Sequence, residues 1–427
     1  MNLSLEKISK AVSSAITENL FSTNDDSVIF YDFEILGAKI NDVTHAFPPN
    51  SLHTVAIKAN PLSKILSRTK NLGLGAEAAS LPELYLAQKA GFSPNKIIFD
   101  SPAKTINDLE YALREGVHIN ADSFEELRRI EELLKRIDSK SRIGIRLNPQ
   151  IGFGDIASSS TAGEYSKFGI PINEFRGQII ESFIKYEWLS GVHIHIGSQG
   201  FPLEMLINGA KILKDFVNEA NVELVNKGTG RHISTINIGG GLPVKYRPDD
   251  ILISAYDYAA GVSEVFGHVD NSKFRLITEF GRYLFANSGF VASRVEYVKP
   301  SSGIKTAIIH VGADLMLRRC YCPDDWYHEI SVLDGGGKLK AGNNKQKYNI
   351  AGPLCFSGDM LACEVELPKI DPGDIIIIHD TGAYTLSMWS RYNSRQMPKV
   401  IGYNYSSGEF EILKKREELN DLFEFWS

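Results

Sequence analysis

Short apolar segments alternate with helical patterns along most of the chain, beginning near residue 50. Eight of these segments have the length and composition of buried strands, and nearly all of them precede a stretch with apolar residues at helical spacing. The eight segments are His53–Ile57, Leu74–Ala78, Ile97–Phe99, Val117–Ile119, Ile143–Leu147, Val192–Ile196, Thr235–Ile238 and Phe274–Glu279. The fifth segment runs first into a Gly/Ser-rich loop at 149–165. Eight such repeats predict an α/β fold, a closed (β/α)8 barrel, with an open doubly wound sheet as the alternative.

The pattern changes after about residue 288, where strand-like segments follow one another without long helices between them. Six segments are separated by Gly and Pro turns, which is typical of an all-β domain. They are Val291–Val298, Ala307–Val311, Tyr348–Ala351, Ala362–Leu367, Ile375–His379 and Val400–Tyr405. We therefore expect a barrel domain at 30–288 and a second, all-β domain at 289–427 that also includes the N-terminal segment 1–29.

Several helix starts are marked by polar residues. Ser80 with Glu83, and Ser123 with Glu126, have the spacing of capping boxes. Residues 5–20 place Leu and Ile near helical spacing between charged residues, which predicts an amphipathic helix and fits neither a signal peptide nor a membrane anchor.

Composition narrows the classes of function. The chain has 427 residues and a formal net charge of −6, which offers no bulk attraction for nucleic acid or for an anionic membrane. Four cysteines are too few for a disulfide scaffold and favour a reducing, cytoplasmic location. Cys320 and Cys322 lack a second pair at zinc spacing, so no metal site is expected.

Polar residues lie at the carboxyl ends of several predicted strands, where the loops of a barrel share one face. They are Lys58, Glu77, the alternating pair His193 and His195, Gly239, Gly240, Gly241, Glu279 and Arg282. Each has a structural alternative: an amine reaching solvent, a core histidine, a tight glycine turn or an ion pair. Glu83 is most simply the partner of Ser80. Together the residues at the strand ends suit one ligand, an aromatic ring that carries a phosphate and an aldehyde.

The sequence resembles a family of enzymes in motifs that lie in order between residues 30 and 410. The motifs are Ala56–Pro61 (AIKANP), Ser166–Gly169 (SKFG), His195–Gln199 (HIGSQ), Ile238–Gly241 (IGGG), Glu279–Arg282 (EFGR), Gly352–Asp359 (GPLCFSGD) and Gly382–Tyr384 (GAY). They are similar to those of the diaminopimelate, ornithine and arginine decarboxylases, the fold-type III pyridoxal phosphate enzymes. This resemblance implies an alanine-racemase-like barrel.

The resemblance implies a role for each cofactor-binding residue. Lys58 carries pyridoxal 5'-phosphate as a Schiff base, Glu279 holds the pyridine nitrogen protonated, and His195 stacks on the ring. Glu77 belongs to the same site. The remaining residues are expected to hold the phosphate, in part through N–H groups that open a helix: Ser198, Gly239, Gly240, Gly241, Gly281, Arg282 and Tyr384.

The resemblance also implies the reaction and its substrate contacts. The substrate loses its α-carboxylate as CO2, and Cys355 gives a proton to Cα. In the family this cysteine comes from the partner subunit, so a homodimer with shared active sites is expected, with a small amino acid as the other partner. The residues expected at the substrate are Arg282, Arg318, Tyr321, Phe356, Asp359 and Tyr384.

Two positions depart from the family pattern. Phe356 occupies the position where diaminopimelate decarboxylases carry Glu and ornithine decarboxylases carry Asp, which bind the distal amine. Arg319 replaces a proline after Arg318, and Tyr321 lies one residue before the usual tyrosine position. Because a phenyl ring cannot pair an ammonium, we expect a substrate without a free distal amine, such as a conjugated or carboxylate-bearing amino acid of a specialised pathway.

Three other functions remain open. The first is a diaminopimelate decarboxylase that binds the distal amine with another residue. The second is a racemase, and the third is a decarboxylase-like regulator without turnover. Glu279 disfavours the racemase, because alanine racemases place Arg opposite the pyridine nitrogen. Lys58, His195 and Cys355 disfavour the regulator, because the chemistry-bearing residues are all present.

Overall fold

The computed structural model describes residues 3–156, 160–267, 274–340 and 344–427, so part of the predicted Gly/Ser-rich loop lies outside the described residues. The strands are β1 Ser27–Asp32, β2 Leu52–Ala56, β3 Gly75–Ala78, β4 Ile97–Asp100, β5 His118–Ala121, β6 Ile143–Asn148, β7 Ile170–Pro171, β8 Leu189–His193, β9 Thr235–Asn237, β10 Arg275–Phe280, β11 Gly289–Ser301, β12 Ile304–Ile309, β13 Ile330–Leu333, β14 Gln346–Ala351, β15 Met360–Leu367, β16 Ile375–Ile378, β17 Lys399–Tyr403 and β18 Phe410–Lys414. The helices are α1 Leu5–Thr17, α2 Phe33–Ala46, α3 Ser63–Asn71, α4 Leu81–Lys89, α5 Ile106–Glu115, α6 Phe124–Leu134, α7 Ile172–Lys185, α8 Leu203–Asn226, α9 Ala255–Phe266, α10 Arg282–Phe285, α11 Leu317–Tyr321 and α12 Leu419–Trp426.

Eight parallel strands close into a barrel, which confirms the predicted (β/α)8 fold and rules out the open sheet. The neighbours run β2, β3, β4, β5, β6, β8, β9 and β10, and β10 pairs back with β2. Each of the eight predicted segments overlaps one of these strands. Fully buried apolar strands of this kind are expected where helices cover the outside of a parallel sheet.

Two details of the barrel differ from the sequence predictions. Strand β2 ends at Ala56, and Lys58 lies in a 3-10 turn, Ile57–Ala59, that directly follows it. Strand β8 ends at His193, so His195 lies in the following loop rather than further along the same strand face. In both cases the strand ends two residues before the polar residue, which lies in the turn or loop that follows.

The two predicted capping boxes form only in part. Ser80 and Ser123 accept the backbone N–H of Glu83 and Glu126, as expected for N-cap residues. The glutamate side chains, however, accept from Ala79 and Asp122, one residue before each cap. The glutamates therefore tie the preceding strand ends to α4 and α6.

The C-terminal part of the chain forms a second sheet of nine strands, which confirms the predicted all-β character. Its main order is β15, β14, β12, β11, β1, β17 and β18, with β16 and β13 paired beside β11. All six predicted segments are strands, whereas β1, β13 and β18 were not predicted. The predicted N-terminal helix forms as α1, and its buried residues Ile8 and Val12 share an apolar core with Phe30 and Phe290.

The chain divides into two compact units. One contains 1–38, 245–251 and 284–427, and the other contains 39–244 and 252–283. The domain limits expected from the sequence stay predictions. Within the described ranges, no helix is both long enough and apolar enough to cross a membrane.

Candidate active site

Lys58 lies beside a buried carboxylate within the barrel unit. Its Nζ is 2.5 Å from Glu77 Oε2, and the Glu77 side chain is fully buried. Burial raises the pKa of Glu77 to about 7, although the Lys58 ammonium acts in the opposite direction. Since the turn after β2 and the end of β3 supply the two groups, the barrel itself sets their distance. The arrangement is an amine held next to its own proton acceptor.

The glycine segment after β9 packs closely against its neighbours. Gly239 has φ +66°, and a Cβ on Gly240 would lie 2.0 Å from the Glu279 carbonyl oxygen. No side chain fits there, so glycine is required by contact as well as by conformation. No helix begins at this segment, because α9 starts only at Ala255. The expected helix N-terminus at Gly239–Gly241 is therefore wrong, and two of its N–H groups already donate to side chains, Gly239 to Asn237 Oδ1 and Gly240 to His195 Nδ1.

His195 is fixed by that same segment. Its Nδ1 accepts the backbone N–H of Gly240 at 3.1 Å. Burial places the pKa of His195 well below its ordinary value. A neutral ring that accepts at Nδ1 carries its proton on Nε2. His195 thus presents an uncharged aromatic ring with a defined tautomer.

Glu279, the penultimate residue of β10, is a buried carboxylate held by a side-chain amide. Asn237 Nδ2 donates to Glu279 Oε1 at 2.5 Å, and the Glu279 side chain is nearly inaccessible. Burial raises its pKa, and the nearby Glu77 carboxylate adds to the effect. Asn237 was not predicted, although its place at the carboxyl end of β9 was a usable signal.

Two more buried groups lie near Glu279: His193, one of the polar residues at the predicted strand ends, and Asp100, which was not predicted. His193 Nε2 lies 3.4 Å from Glu279 Oε2, and His193 Nδ1 lies 3.6 Å from Asp100 Oδ1. Burial lowers the pKa of His193 to about 3 and raises that of Asp100 to about 6. Asp100 ends β4, so its place at a strand end was again the signal.

Ser198 and Arg282 lie close together although the strands before them, β8 and β10, are separated by β9 in the barrel. Arg282 Nε donates to Ser198 Oγ at 3.0 Å, and the arginine is 3% exposed. Gly281 lies directly between the end of β10 and Arg282. A hydroxyl and a guanidinium at one buried point suit an anion such as phosphate.

Apart from Arg282, the predicted substrate residues belong to the other unit, and Cys355 is exposed there. Its backbone N–H donates to Asn393 Oδ1 at 2.8 Å, and its carbonyl accepts from the Tyr392 hydroxyl at 3.0 Å. These two bonds hold the backbone around the thiol while the thiol itself stays exposed. The loop therefore presents an accessible thiol on a backbone that is held by hydrogen bonds.

Asp359 holds the same loop from inside. Its carboxylate accepts the backbone N–H groups of Ala313 and Leu354, at 2.5 and 2.7 Å, and the residue is 3% exposed. A Cβ on Gly312 or Gly352 would come within 2.4 Å of this carboxylate. These contacts give each oxygen a backbone donor and hold the loop, and the expected contact between Asp359 and the substrate stays a prediction.

Phe356 and Tyr321 form a stacked aromatic pair. Their ring centroids are 4.9 Å apart with an interplanar angle of 14°, and Tyr321 is 58% exposed. Nearby in the chain, the Arg318 guanidinium lies over the rings of Trp326 and Tyr384, at 4.7 and 4.8 Å. Tyr384 has a φ of +57°, a conformation rarely adopted by side chains of its size.

Arg319 is held differently from Arg318. It donates to the carbonyls of Leu361 and Pro323, at 2.8 and 2.9 Å. Its donors therefore brace the backbone, and Arg318 is the stronger candidate for a substrate carboxylate.

Comparison with known proteins shows which family combines these features. The family described as the pyridoxal binding domain of pyridoxal-dependent decarboxylases matches residues 34–286. The chain belongs to this family. Diaminopimelate decarboxylase of Helicobacter pylori strain J99 is 32% identical over 419 residues, covering 95% of this chain and 96% of the relative. The relative from Methanothermobacter thermautotrophicus, another diaminopimelate decarboxylase, is 30% identical, covering 86% and 83%.

Solved structures of the family give the same result. The crystal structure of the Helicobacter pylori diaminopimelate decarboxylase complexed with L-lysine has a TM-score of 0.85 and 30% identity, covering 96% of this chain and 99% of that one. The chain is accordingly a pyridoxal phosphate-dependent carboxy-lyase acting on amino acids. The described residues of the barrel unit fit the cofactor chemically: an amine for its aldehyde, an uncharged imidazole for its ring, and a glycine segment without room for side chains.

Proposed function

We propose that this decarboxylase acts on an amino acid whose side chain carries no free ammonium at its far end. The observation that carries the proposal is the aromatic pair of Phe356 and Tyr321, which stands where the family places a carboxylate for that ammonium. A stacked pair offers flat apolar surface. An exposed cation–π contact contributes only about 0.5–1 kcal/mol, whereas leaving a desolvated ammonium without a counter-ion costs several kcal/mol.

We further propose that the substrate carries a carboxylate or a similar hydrogen-bond acceptor, and Arg318 supports this part of the proposal. The rings of Trp326 and Tyr384 cover the faces of its guanidinium. Stacking of this kind fixes the orientation of the planar N–H edge, which is the edge that binds carboxylates in a bidentate manner. A substrate with an extra carboxylate therefore finds a pre-oriented donor here.

The residues of the barrel unit would hold the cofactor and set its protonation. Bound pyridoxal phosphate supplies an electron sink for the electron pair that remains when CO2 leaves. Lys58 would hold the aldehyde carbon, and Glu77 holds the amine by its ion pair. His195 would support the ring, and Glu279 would accept from the ring nitrogen. Phosphate binding is assigned to Ser198, Gly239, Gly240, Gly241, Gly281 and Arg282, and the resemblance adds Tyr384.

Cys355 is proposed as the proton donor to Cα. Its exposed thiol on an ordered loop supports this role. By analogy with the family, the cysteine serves the site of a partner subunit, so the working form would be a homodimer with two shared sites. Sedimentation of the purified holoenzyme at twice the chain mass would support the dimer, and an active monomer would refute it.

A CO2-release assay tests the proposed substrate class. The purified holoenzyme is supplied with ornithine, lysine, meso-diaminopimelate, and amino acids with acylated or carboxylate-bearing side chains, each as separate stereoisomers. We expect release only from the last group. Turnover of meso-diaminopimelate or ornithine at ordinary enzymatic rates, roughly 1–10³ per second, would contradict the proposal.

Exchange of the aromatic residue sharpens the same test. Phe356→Glu restores the family acid and should create measurable diaminopimelate turnover while lowering that of the native substrate. Phe356→Leu, which is apolar but not aromatic, is the matched control and should create none.

The second candidate is meso-diaminopimelate decarboxylation itself, favoured by the relatives at about 30% identity. It predicts that the wild-type enzyme turns over meso-diaminopimelate and that Phe356→Glu brings no gain. A holoenzyme that binds the cofactor but releases CO2 from no amino acid would instead point to a regulator without turnover.

A further inference from the structure

Four ionisable side chains meet inside the barrel, and the proposed function uses only two of them. Glu77 and Glu279 have roles above, whereas Asp100 and His193 have none. Asp100 ends β4 and His193 ends β8, and their side chains are 4% and 1% exposed. Burying two such groups is expensive unless they pair. Their position beside Glu279 therefore calls for an explanation.

The geometry places His193 as a bridge. Its two ring nitrogens face two different carboxylates, Asp100 at 3.6 Å and Glu279 at 3.4 Å. Neither ring nitrogen has a hydrogen-bond partner among the described residues, and Asp100 also interacts directly with Glu279. Hydrogen-bonding distances in active sites are often long until a ligand is bound. Asn237 already occupies the other oxygen of Glu279.

We propose that Asp100 and His193 are positioning residues that orient Glu279 and keep it ionised for the cofactor's ring nitrogen. The proposal rests on the role proposed above for Glu279. It adds a line of buried side chains, Asp100 to His193 to Glu279, that spans the interior of the barrel from β4 to β10 and would act through hydrogen bonds.

The direction of hydrogen bonding follows from the donors available. A neutral His193 has one N–H and one acceptor. When Asp100 is protonated it donates to Nδ1, and the ring proton then lies on Nε2 and is donated to Glu279. When Asp100 instead passes this proton to Nδ1, it becomes a carboxylate beside an imidazolium, and Nε2 keeps its own proton. In both states Glu279 receives an N–H, which stabilises its carboxylate form.

Other charges act on the same chain and set its pH response. The cationic groups are Lys58, Lys104 and Arg146, and the remaining groups are Glu77, Asp122, His118 and His195. Lys58 and Arg146 both disfavour a charged His193. His193 is therefore a neutral imidazole over most of the pH range, unless an ionised Asp100 stabilises the charged form of the ring.

Cofactor binding to the full-length protein tests the proposal without relying on turnover. The variants are His193→Leu, which removes both bridging nitrogens, and His193→Gln, which keeps an amide donor for Glu279. Affinity for pyridoxal phosphate is measured by equilibrium dialysis, and the absorbance spectrum of the bound cofactor is recorded across pH. We expect His193→Leu to weaken binding about 10- to 100-fold, the range for groups that orient a ligand from behind, and to shift the spectral midpoint. His193→Gln should recover most of both.

His379→Gln is the matched control, because His379 is a buried histidine of the sheet unit that bonds the Ser331 hydroxyl rather than Glu279. It should leave affinity and spectrum unchanged, and circular dichroism of all variants should show the native fold. Equal shifts in His379→Gln and His193→Leu would mean a general packing effect and would overturn the proposal. So would Zn²⁺ binding by the cofactor-free protein that His193→Leu abolishes, since the three residues would then form a metal site.

Glu279→Gln separates this inference from the role on which it rests. If Glu279→Gln changes the cofactor spectrum and His193→Leu does not, the positioning role is refuted and the role of Glu279 stands. If neither changes the spectrum, the role of Glu279 itself is refuted.

Discussion

The barrel unit and the sheet unit present their proposed functional residues in opposite ways. In the barrel unit, Glu77, Asp100 and Glu279 are almost fully buried, and each is fixed by a strand end. In the sheet unit, Cys355 is exposed on a loop, and Tyr321 ends a helix of five residues with more than half its surface exposed.

We expect this difference to separate the groups that bind the cofactor, in the barrel unit, from most of those that contact the substrate, in the sheet unit. Buried groups on strand ends have few alternative positions, so their distances and pKa values are set by the fold. Exposed groups on loops tolerate exchange at little cost to stability. A family that shares one cofactor chemistry can therefore change its substrate in the sheet unit, which is where Phe356 departs from the family pattern.

The largest expected effect on cofactor binding and turnover comes from replacing Lys58 in the barrel unit. Lys58→Ala should abolish the absorbance of covalently held cofactor and lower turnover at least about a thousand-fold, the scale of losing a nucleophile. Absorbance spectroscopy and CO2 release measure the two effects. Lys89→Ala, an exposed lysine on α4, is the control and should change neither. Bound cofactor with an unaltered spectrum in Lys58→Ala would contradict the assignment.

In the sheet unit, Cys355→Ser should lower turnover without changing cofactor binding. Replacing the thiol by a weaker acid should lower kcat about 10²- to 10⁴-fold, while the cofactor spectrum stays that of the wild type. Cys363→Ser, at an exposed cysteine of β15, should have no effect. A loss of cofactor in Cys355→Ser would show that Cys355 also contributes to cofactor binding, which would contradict the proposed difference between the two units.

A glycine exchange in the barrel tests how tightly its site is packed. Gly240→Ala would place a methyl group 2.0 Å from the Glu279 carbonyl oxygen, so the backbone must move. We expect a loss of about 1–3 kcal/mol in the free energy of unfolding and weaker cofactor binding. Gly177→Ala, in α7 with open space around it, should instead stabilise by up to about 1 kcal/mol. Urea denaturation measures both.

Much of the fold was predictable because the barrel repeats one simple pattern. Eight apolar segments with helices between them have few ways to bury their surface, and residues such as Lys58 and Glu279 then follow from strand order. Strands β1, β13 and β18 escaped prediction since their pairing partners are distant in sequence: β1, for example, pairs with β11 and β17.

The site was only partly predictable for a related reason. Asp359 carries the family motif, but its hydrogen bonds to Ala313 and Leu354 are formed only in the folded chain. Asp100 and Asn237 lie at strand ends like the predicted residues, yet neither has a motif around it. The absence of a helix after Gly241 also depends on the path of the following loop, which composition does not encode.

The last expected effect is a pH dependence of the free energy of unfolding that distinguishes buried from exposed acids. Burial raises the pKa of Asp100 to about 6 from its ordinary 3.8, so its protonated form favours the folded state. That contribution is fully present below pH 3.8 and is lost as the pH rises through about 6. Asp100→Asn removes the ionisation. The cofactor-free variant should therefore gain stability relative to wild type between pH 4.5 and 7.5, by on the order of 2–3 kcal/mol in urea denaturation. Asp215→Asn, at an exposed acid of α8, should show no such trend, and a constant difference for Asp100→Asn would mean that this carboxyl titrates normally.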